Sequence, residues 1–300
     1  MKNDHPVLPY LLLILASCTW AGNIVLGRAV HGEILPLALA FFRWSVAFVV
    51  LVPLTYASFR RDFPVIQRHW KWLTLVTATG VVLFHSLLYT GLTSTTALNA
   101  GLMMATSPII IPAIAYLIHR DKLTKMQGLG LVASVFGVGI IITQGDLAVL
   151  SSLTFTPGDL WVLTAVPLWG VYSVVLKDRP TGLSSRALMF CITGLGSIML
   201  IPFYMWEFSN YGGFDLNAPN LLTIVYISVV ASVVAYFAWN KGVADVGAIK
   251  AGPFLHVIPA CTALLAIVFL GEVLQPFHFP GIALIVFGIV LTTWKRKPTS

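Results

Sequence analysis

The chain has 300 residues, of which 58% are hydrophobic and only 10% charged, and its mean hydropathy is +0.89. A soluble domain is about 45–50% apolar and about 25% charged, so this composition excludes an ordinary soluble fold. The net charge of +7 does not indicate a nucleic-acid partner, because the Lys and Arg residues lie in short segments between apolar runs, where they orient a membrane protein.

Ten apolar stretches follow one another along the chain, and each is long enough to cross a hydrocarbon layer of about 30 Å as a helix. The first stretch has no small-residue cleavage site after it, so we interpret it as a retained helix. The sequence therefore predicts an all-α membrane protein with ten transmembrane helices, at 8–29, 35–56, 71–91, 97–118, 126–143, 158–176, 186–206, 220–240, 247–270 and 277–294.

The basic residues are distributed unequally between the two sides of the membrane. If the N-terminus is cytoplasmic, 16 of the 18 Lys and Arg residues fall on the cytoplasmic side, leaving Arg28 in an outer loop and Arg43 inside the second span. The positive-inside rule therefore predicts that both termini lie in the cytoplasm. We expect a multi-pass protein of the bacterial inner membrane.

The two halves of the chain are related by an internal repeat. A shift of 151 residues aligns Gly91 with Gly242 and Pro108 with Pro259, and a shift of 149 aligns Trp20 with Trp169. We assign residues 1–148 and 149–300 to the two halves. Because five is an odd number of spans, the second half must insert upside down, an arrangement that many secondary transporters use for alternating access.

The repeated segments resemble the ten-helix EamA branch of the drug/metabolite transporter superfamily. The stretches Trp20–Arg28 and Trp169–Lys177 match the Trp-Gly pattern of the family, and Leu270–Leu274 matches its Gly-acid-x-Leu turn. The first half departs from that turn, with His119-Arg120-Asp121 in its place. Within the family the chain is most similar to YddG-type aromatic amino-acid exporters, and the resemblance implies export of amino acids or related metabolites.

The placement of charge narrows the class of cargo. All acidic residues fall in loops or at span ends, which disfavours a mechanism built on a buried carboxylate and a strongly cationic substrate. Arg43 is the single clear intramembrane cation, whereas a sugar-phosphate antiporter would need several. We interpret Arg43 as paired with a carbonyl group or extended to the outer face. A neutral or zwitterionic amino acid fits best.

Polar and aromatic side chains recur on matched helix faces of the two halves, and they predict a wide, aromatic, uncharged substrate cavity between them. The alternative is that these residues only pack the halves together or bond neighbouring helices. His256 is the least certain member, since it either lines the cavity or bonds another helix. The predicted cavity residues are Trp20, Asn23, Thr79, His85, Tyr89, Met103, Ser107, Trp169, Tyr172, Tyr236, Asn240, Phe254 and His256.

Other functions were weighed against amino-acid export. Export of nucleotide-like or sugar-phosphate compounds is the nearest alternative. An intramembrane enzyme is disfavoured, because neither a His-Glu-x-x-His nor a Gly-x-Gly-Asp motif occurs. A scaffold or sensory subunit would not need an inverted repeat. Cys18, Cys191 and Cys261 lie in apolar runs without a metal-binding spacing, so we interpret them as packing residues and expect no cofactor or metal. We expect a monomer whose partners are a small-molecule substrate and the lipid bilayer.

The loop charges generate a topology prediction. In a background without the native cysteines, a cysteine at Asn210 should react with an impermeant maleimide from outside the cell. A cysteine at Asp62 should react only after the membrane is opened. Labelling of position 62 in intact cells would contradict the inverted repeat.

Overall fold

The computed structural model describes residues 7–95, 97–143, 146, 148, 156–261, 265 and 276–293. These residues confirm the all-α fold, and each predicted span corresponds to one helix. The first half contains α1 (Leu8–Ala29), α2 (Pro36–Arg68), α3 (Trp70–Ser94), α4 in two pieces (Ala97–Met104 and Ser107–His119) and α5 (Lys125–Ile142). The second half contains α6 (Pro157–Val175), α7 (Ser185–Tyr211), α8 (Ala218–Val246), α9 (Ala248–Cys261) and α10 (His278–Thr293).

Six of these helices, α1, α2, α3, α6, α7 and α8, are long and apolar enough to cross a membrane, and the remaining ones are shorter apolar helices. Helix α2 has 33 residues, about 50 Å at 1.5 Å per residue, so it continues well past its predicted end at residue 56. The predicted span 247–270 is described as helix up to Cys261. Its remainder and the Leu270–Leu274 turn lie outside the described residues, except for position 265.

The two halves pack through pairs of helices that the repeat relates. Helix α1 contacts α8, and its repeat equivalent α6 contacts α3. Helix α2 likewise packs on α7, α4 on α9, and α5 on α10. This reciprocal pattern is what two inverted five-helix repeats require, because a two-fold relation carries each contact either onto itself or onto its equivalent pair.

Glycines allow the closest of these helix pairs to form. At Gly130 and Gly137 in α5, an added Cβ atom would collide with the backbone oxygens of Gly288 and Gly281 in α10. Gly91 and Gly158 bring α3 and α6 together in the same way. Close approach of backbones is how membrane helices gain van der Waals contact when lipid supplies no hydrophobic driving force.

The repeat also preserves irregular segments within the helices. Helix α3 contains a π-helical segment at Ala78–Leu83, and α8 contains one at Tyr226–Val234. The break in α4 at Ala105 and Thr106 has its counterpart in the 3₁₀ segment Gly252–His256 of α9. Such segments free backbone groups from their usual helical partners, and they often lie at functional sites.

Two acidic side chains cap helices of the opposite half. The Glu207 carboxylate accepts hydrogen bonds from the backbone N–H groups of Leu37 (3.0 Å) and Ala38 (2.6 Å) at the start of α2. Asp62 near the end of α2 accepts from the Ser184 N–H (2.8 Å) at the start of α7. Carboxylates at helix N-termini satisfy free N–H groups. Because Asp62 is engaged in this way, the exposed neighbour Arg60 is the better position for the topology label.

Gly137 and Gly139 of α5 lie about half a turn apart, and the α5–α10 contact predicts opposite effects on stability when each is replaced by Ala. Gly137→Ala should lower the melting temperature in detergent, because the new methyl group separates the two helices. Gly139→Ala is the matched control, since no atom lies within 4 Å of its added Cβ and Ala favours the helix by about 1 kcal/mol. Equal melting temperatures for the two variants would contradict this packing.

Candidate functional site

A small cavity lies at the centre of the bundle, between the two halves. Its walls are mostly aromatic and aliphatic, from α1, α3, α4, α6, α8 and α9: Trp20, Asn23, Ile24, Phe84, His85, Leu88, Met104, Trp169, Tyr236, Leu255 and Ile258. Its volume is about 20 Å³, room for about one water molecule. The cavity is therefore narrow in this conformation, whereas the sequence predicts a wide one, and its walls must separate to admit an organic solute.

The two central tryptophans, which the repeat relates, meet in this cavity. The rings of Trp20 and Trp169 are 5.0 Å apart and nearly perpendicular. Tyr236 lies 5.9 Å from Trp20 and 5.7 Å from Trp169, also edge to face. Trp239 closes the cluster at 5.4 Å from Trp20. Edge-to-face contact is a preferred packing of aromatic rings.

Arg43 is the centre of a buried polar network beside the cavity. Its side chain is fully buried. Its Nε donates to Ser232 Oγ (2.6 Å), Nη2 to the Ala231 carbonyl oxygen (2.9 Å), and Nη1 to both Asn23 Oδ1 (2.9 Å) and Tyr89 OH (2.8 Å). These donors come from α2, and the acceptors belong to α1, α3 and α8. One guanidinium group therefore fastens four helices of both halves.

No carboxylate of the described residues forms an ion pair with Arg43. All of its acceptors are neutral, so the positive charge of a guanidinium, which stays protonated in proteins, is uncompensated. A buried intramembrane charge is expensive and marks a functional site by default. The sequence places Arg43 inside a span and anticipates a carbonyl partner, but it does not reveal that the side chain points to the bundle centre.

The repeat also relates two Tyr–Asn hydrogen bonds, one in each half, with the Tyr and Asn positions exchanged. Tyr89 OH donates to Asn23 Oδ1 at 2.7 Å, and Tyr172 OH donates to Asn240 Oδ1 at 2.6 Å. Tyr89 occupies the position equivalent to Asn240, and Asn23 the position equivalent to Tyr172. Each half thus keeps one Tyr–Asn hydrogen bond. Arg43 joins only the first pair, because its equivalent position holds Ile192.

The π-helical segments supply the backbone acceptors for these side chains. Trp20 Nε1 donates to the Ala231 oxygen at 2.9 Å, the same oxygen that binds Arg43. At the equivalent position in α3, the Gly80 oxygen accepts from Tyr236 OH at 2.6 Å. The widened helical turn exposes a carbonyl that an α-helix would use internally. Trp169, equivalent to Trp20, finds no acceptor, and its Nε1 has no hydrogen-bond partner among the described residues.

Three cavity residues retain hydrogen-bonding capacity for a ligand. Asn23 uses its oxygen for Arg43 and Tyr89, which orients its Nδ2 donor away from them, and the described residues offer this donor no acceptor. Trp169 adds its free N–H group. His85 Nδ1 lies 3.0 Å from the Val81 oxygen, so it carries the proton and leaves Nε2 as an acceptor. The cavity thus offers two donors and one acceptor.

The other predicted site residues lie around the cavity. Tyr89, Tyr172 and Asn240 form the hydrogen bonds just described. Met104 contributes to the wall in place of Met103, which is half-buried. Phe254 is buried and stacks on Tyr10 at 5.7 Å.

The remaining predicted residues either form a hydrogen bond with a backbone oxygen or have no hydrogen-bond partner among the described residues. Thr79 Oγ1 donates to the Leu75 oxygen within its own helix, at 2.8 Å. Ser107 is buried, and its hydroxyl has no partner among the described residues. His256 Nε2 is 2.9 Å from the Ala105 oxygen of the opposite half, its repeat equivalent, which is the interhelical bond considered above.

The bundle differs at its two ends. Where α1 ends, Thr95 Oγ1 donates to Asp159 Oδ1, and Arg28 Nη1 donates to the Leu92 oxygen at 2.7 Å, so the helices are joined. Where α1 begins, a pocket of about 170 Å³ opens between the halves, and its lining includes Lys177 and Asp121, which form an ion pair of 2.7 Å. This pocket lies on the opposite side of the bundle from the hydrogen bonds of Thr95 and Arg28.

Ten apolar helices in two inverted halves around a central cavity define a membrane transporter fold. The chain belongs to the EamA-like transporter family, whose model matches residues 7–143 and again residues 156–294. One match falls in each predicted half.

Several relatives span nearly the whole chain. It is 28% identical to the uncharacterized transporter YetK of Bacillus subtilis, over 96% of this chain and 87% of that protein. It is 28% identical to an uncharacterized transporter of Archaeoglobus fulgidus, over 96% and 98%. It is 27% identical to a probable terminal-alkyne amino-acid exporter of Streptantibioticus cattleyicolor, over 96% and 95%.

A solved crystal structure has the same fold. It superposes with a TM-score of 0.72 at 17% identity, covering 95% of this chain and 96% of the other. At that identity the likeness concerns the fold alone.

The two Tyr–Asn pairs provide a matched test of the Arg43 network. Tyr89→Phe removes a partner of both Arg43 and Asn23 and should destabilise the protein by about 1–3 kcal/mol. Tyr172→Phe removes one neutral hydrogen bond and should cost about 0.5–1.5 kcal/mol. Denaturation in detergent, followed by tryptophan fluorescence, measures both. A larger loss for Tyr172→Phe would contradict the central role of Arg43.

Proposed function

We propose that this protein exports amino acids, chiefly aromatic and other large neutral ones, by alternating access, as a YddG-type exporter does. It works in the bacterial inner membrane with both termini in the cytoplasm. The observation that carries the proposal is the central cavity, in which an aromatic wall adjoins an amide that an unpaired buried arginine orients.

The first element of the argument is recognition of a carboxylate. Among the described residues neither Asn23 Nδ2 nor Trp169 Nε1 donates to an acceptor, and both residues line the cavity. Arg43 lies one layer behind Asn23 and holds its oxygen, so its positive charge acts on the cavity without blocking it. Charge interactions are strong where water is excluded. A carboxylate in the cavity therefore satisfies both donors and compensates the arginine.

The second element is recognition of an ammonium group. His85 Nε2 is an acceptor at the cavity wall, since Nδ1 is occupied by the Val81 carbonyl. The faces of Trp20, Trp169 and Tyr236 add cation–π attraction. One donor region and one acceptor region suit a zwitterion, whereas a simple anion would use only the first.

The third element is the space for the side chain of the amino acid. The remaining wall is apolar, with Phe84, Leu88, Met104 and Leu255. Burial against it contributes roughly 25 cal/mol per Å² of apolar surface, which favours large side chains without selecting one shape. Met104 allows the wall to adapt. Broad selectivity and modest affinity follow.

The alternatives fit these contacts less well. A sugar phosphate or nucleotide carries two or more negative charges, yet Arg43 is the cation beside this cavity among the described residues. Similarity to the probable terminal-alkyne amino-acid exporter of Streptantibioticus cattleyicolor supports the proposed cargo. An enzyme would require acid and base groups at the cavity, and its described lining includes no Asp or Glu. Saturable counterflow of radiolabelled phenylalanine in proteoliposomes tests the proposal, because neither an enzyme nor a scaffold would produce it.

Neutralising Arg43 with a nearly isosteric change tests carboxylate recognition. Asn23→Asp places a carboxylate beside the guanidinium, where it compensates the positive charge and repels a substrate carboxylate. We expect the apparent affinity for phenylalanine to fall about tenfold or more, which corresponds to about 1.4 kcal/mol. Transport of phenylalaninamide, which lacks the carboxylate, should be less affected. Equal loss for both substrates would contradict the proposed orientation.

Removing one aromatic wall tests side-chain recognition. Trp169→Ala should reduce transport of phenylalanine and leucine more than transport of alanine, because stacking area is lost. Trp161→Ala is the matched control, as its ring lies on the same helix and is 46% exposed on the outside of the bundle. If Trp169→Ala is folded and transports every substrate at the parental rate, Trp169 belongs to helix packing.

A further inference from the structure

Two cysteines from opposite halves of the chain lie in contact. Cys18 of α1 and Cys261 of α9 are 243 positions apart in sequence, and their sulfur atoms are separated by 2.6 Å. Both are free thiols and both are partly exposed, whereas Cys191, the third cysteine, is buried. A disulfide bond has a length of about 2.05 Å, so the pair requires little movement to form one.

Neighbouring contacts hold the two helices together at this point. Ser17 Oγ donates to the Phe254 oxygen at 2.8 Å, and Tyr10 stacks on the Phe254 ring at 5.7 Å. The repeat makes a second seam of the same kind between α6 and α4. The positions equivalent to Cys18 and Cys261 in that seam are Pro167 and Ile110. The equivalent helix pair therefore packs without thiols, and the α1–α9 contact has two thiols in addition.

We infer that Cys18 and Cys261 form a redox-sensitive disulfide that arrests transport. The oxidant is a lipid-soluble organic hydroperoxide. One thiol attacks the peroxide, the O–O bond breaks, and an alcohol leaves as the sulfur becomes a sulfenic acid. The second thiol then attacks this sulfur and releases water. Two thiols lose two hydrogen atoms in total, and the peroxide is reduced to alcohol and water.

The disulfide joins α1 to α9, one helix from each half, and both helices line the cavity. Trp20 follows Cys18 by two residues on α1, and Ile258 precedes Cys261 by one turn on α9, and both line the cavity. Separation of these walls is needed to admit a solute, since the cavity now holds about one water molecule. A covalent bond between α1 and α9 opposes that separation. Oxidation therefore stops flux, and a thiol reductant restores it.

A cleavable full-length chain tests the bond without depending on transport. A protease site is inserted at residues 149–155, between the two family matches. The protein in proteoliposomes is treated with cumene hydroperoxide, its remaining thiols are blocked, and it is then cleaved. We expect the halves to migrate together on a non-reducing gel and separately after dithiothreitol. Cys18→Ser and Cys261→Ser should each abolish the linkage, while Cys191→Ser should retain it.

Phenylalanine counterflow on the same samples tests the functional consequence, and this readout alone rests on the proposed function. Oxidation should abolish counterflow in the parent and in Cys191→Ser, with recovery after dithiothreitol, but should leave both single serine variants active. Halves that separate on the non-reducing gel would overturn the disulfide. Linked halves with undiminished counterflow would overturn the arrest. Absence of counterflow before oxidation, with linked halves afterwards, would refute the substrate and leave the disulfide established.

Discussion

The scarcity of hydrogen-bond partners within a membrane is the constraint on which the centre of this protein depends. A polar group without a partner in hydrocarbon costs several kcal/mol, and a charge costs more. Arg43 meets this constraint with four neutral acceptors on three other helices. The π-helical segment of α8 makes this possible by exposing the Ala231 carbonyl. The π-helical segment thus supplies an acceptor that the buried guanidinium needs, and the guanidinium satisfies the carbonyl that this segment exposes.

The scaffold follows the two-fold repeat of the chain, whereas the residues at the central site depart from it. Reciprocal helix pairs, glycine contacts, π-helical segments and Tyr–Asn hydrogen bonds all recur in both halves. At the centre, however, Arg43 has Ile192 as its equivalent, and Trp169 lacks the acceptor that Trp20 possesses. A perfectly symmetric cavity would present the same groups at both sides. Because a cation lies beside one side of the cavity and not the other, the two sides differ in charge, as the two ends of a zwitterion do.

The narrowness of the cavity connects this chemistry to movement. With room for about one water molecule, the walls contact one another where a solute would lie. The pocket where α1 begins is larger, and the opposite end is joined by hydrogen bonds between helices. The aromatic residues of the cavity lie on α1, α3, α6 and α8, and these helices must separate to admit a solute. The contact between Cys18 and Cys261 joins α1, one of these helices, to α9.

The sequence by itself determined the number of helices, their inverted repeat and the meeting of Trp20 with Trp169, because membrane thickness and a fixed alignment shift constrain them directly. Only the tertiary structure decided which polar residues share a network. Helix periodicity places residues on a face but does not tell which neighbour that face meets, so it does not reveal which way Arg43, Met103 or Met104 points. The exchanged Tyr–Asn pairs were hidden for a related reason: their residue types differ at each aligned position. Their equivalence becomes visible only where two side chains meet at hydrogen-bonding distance.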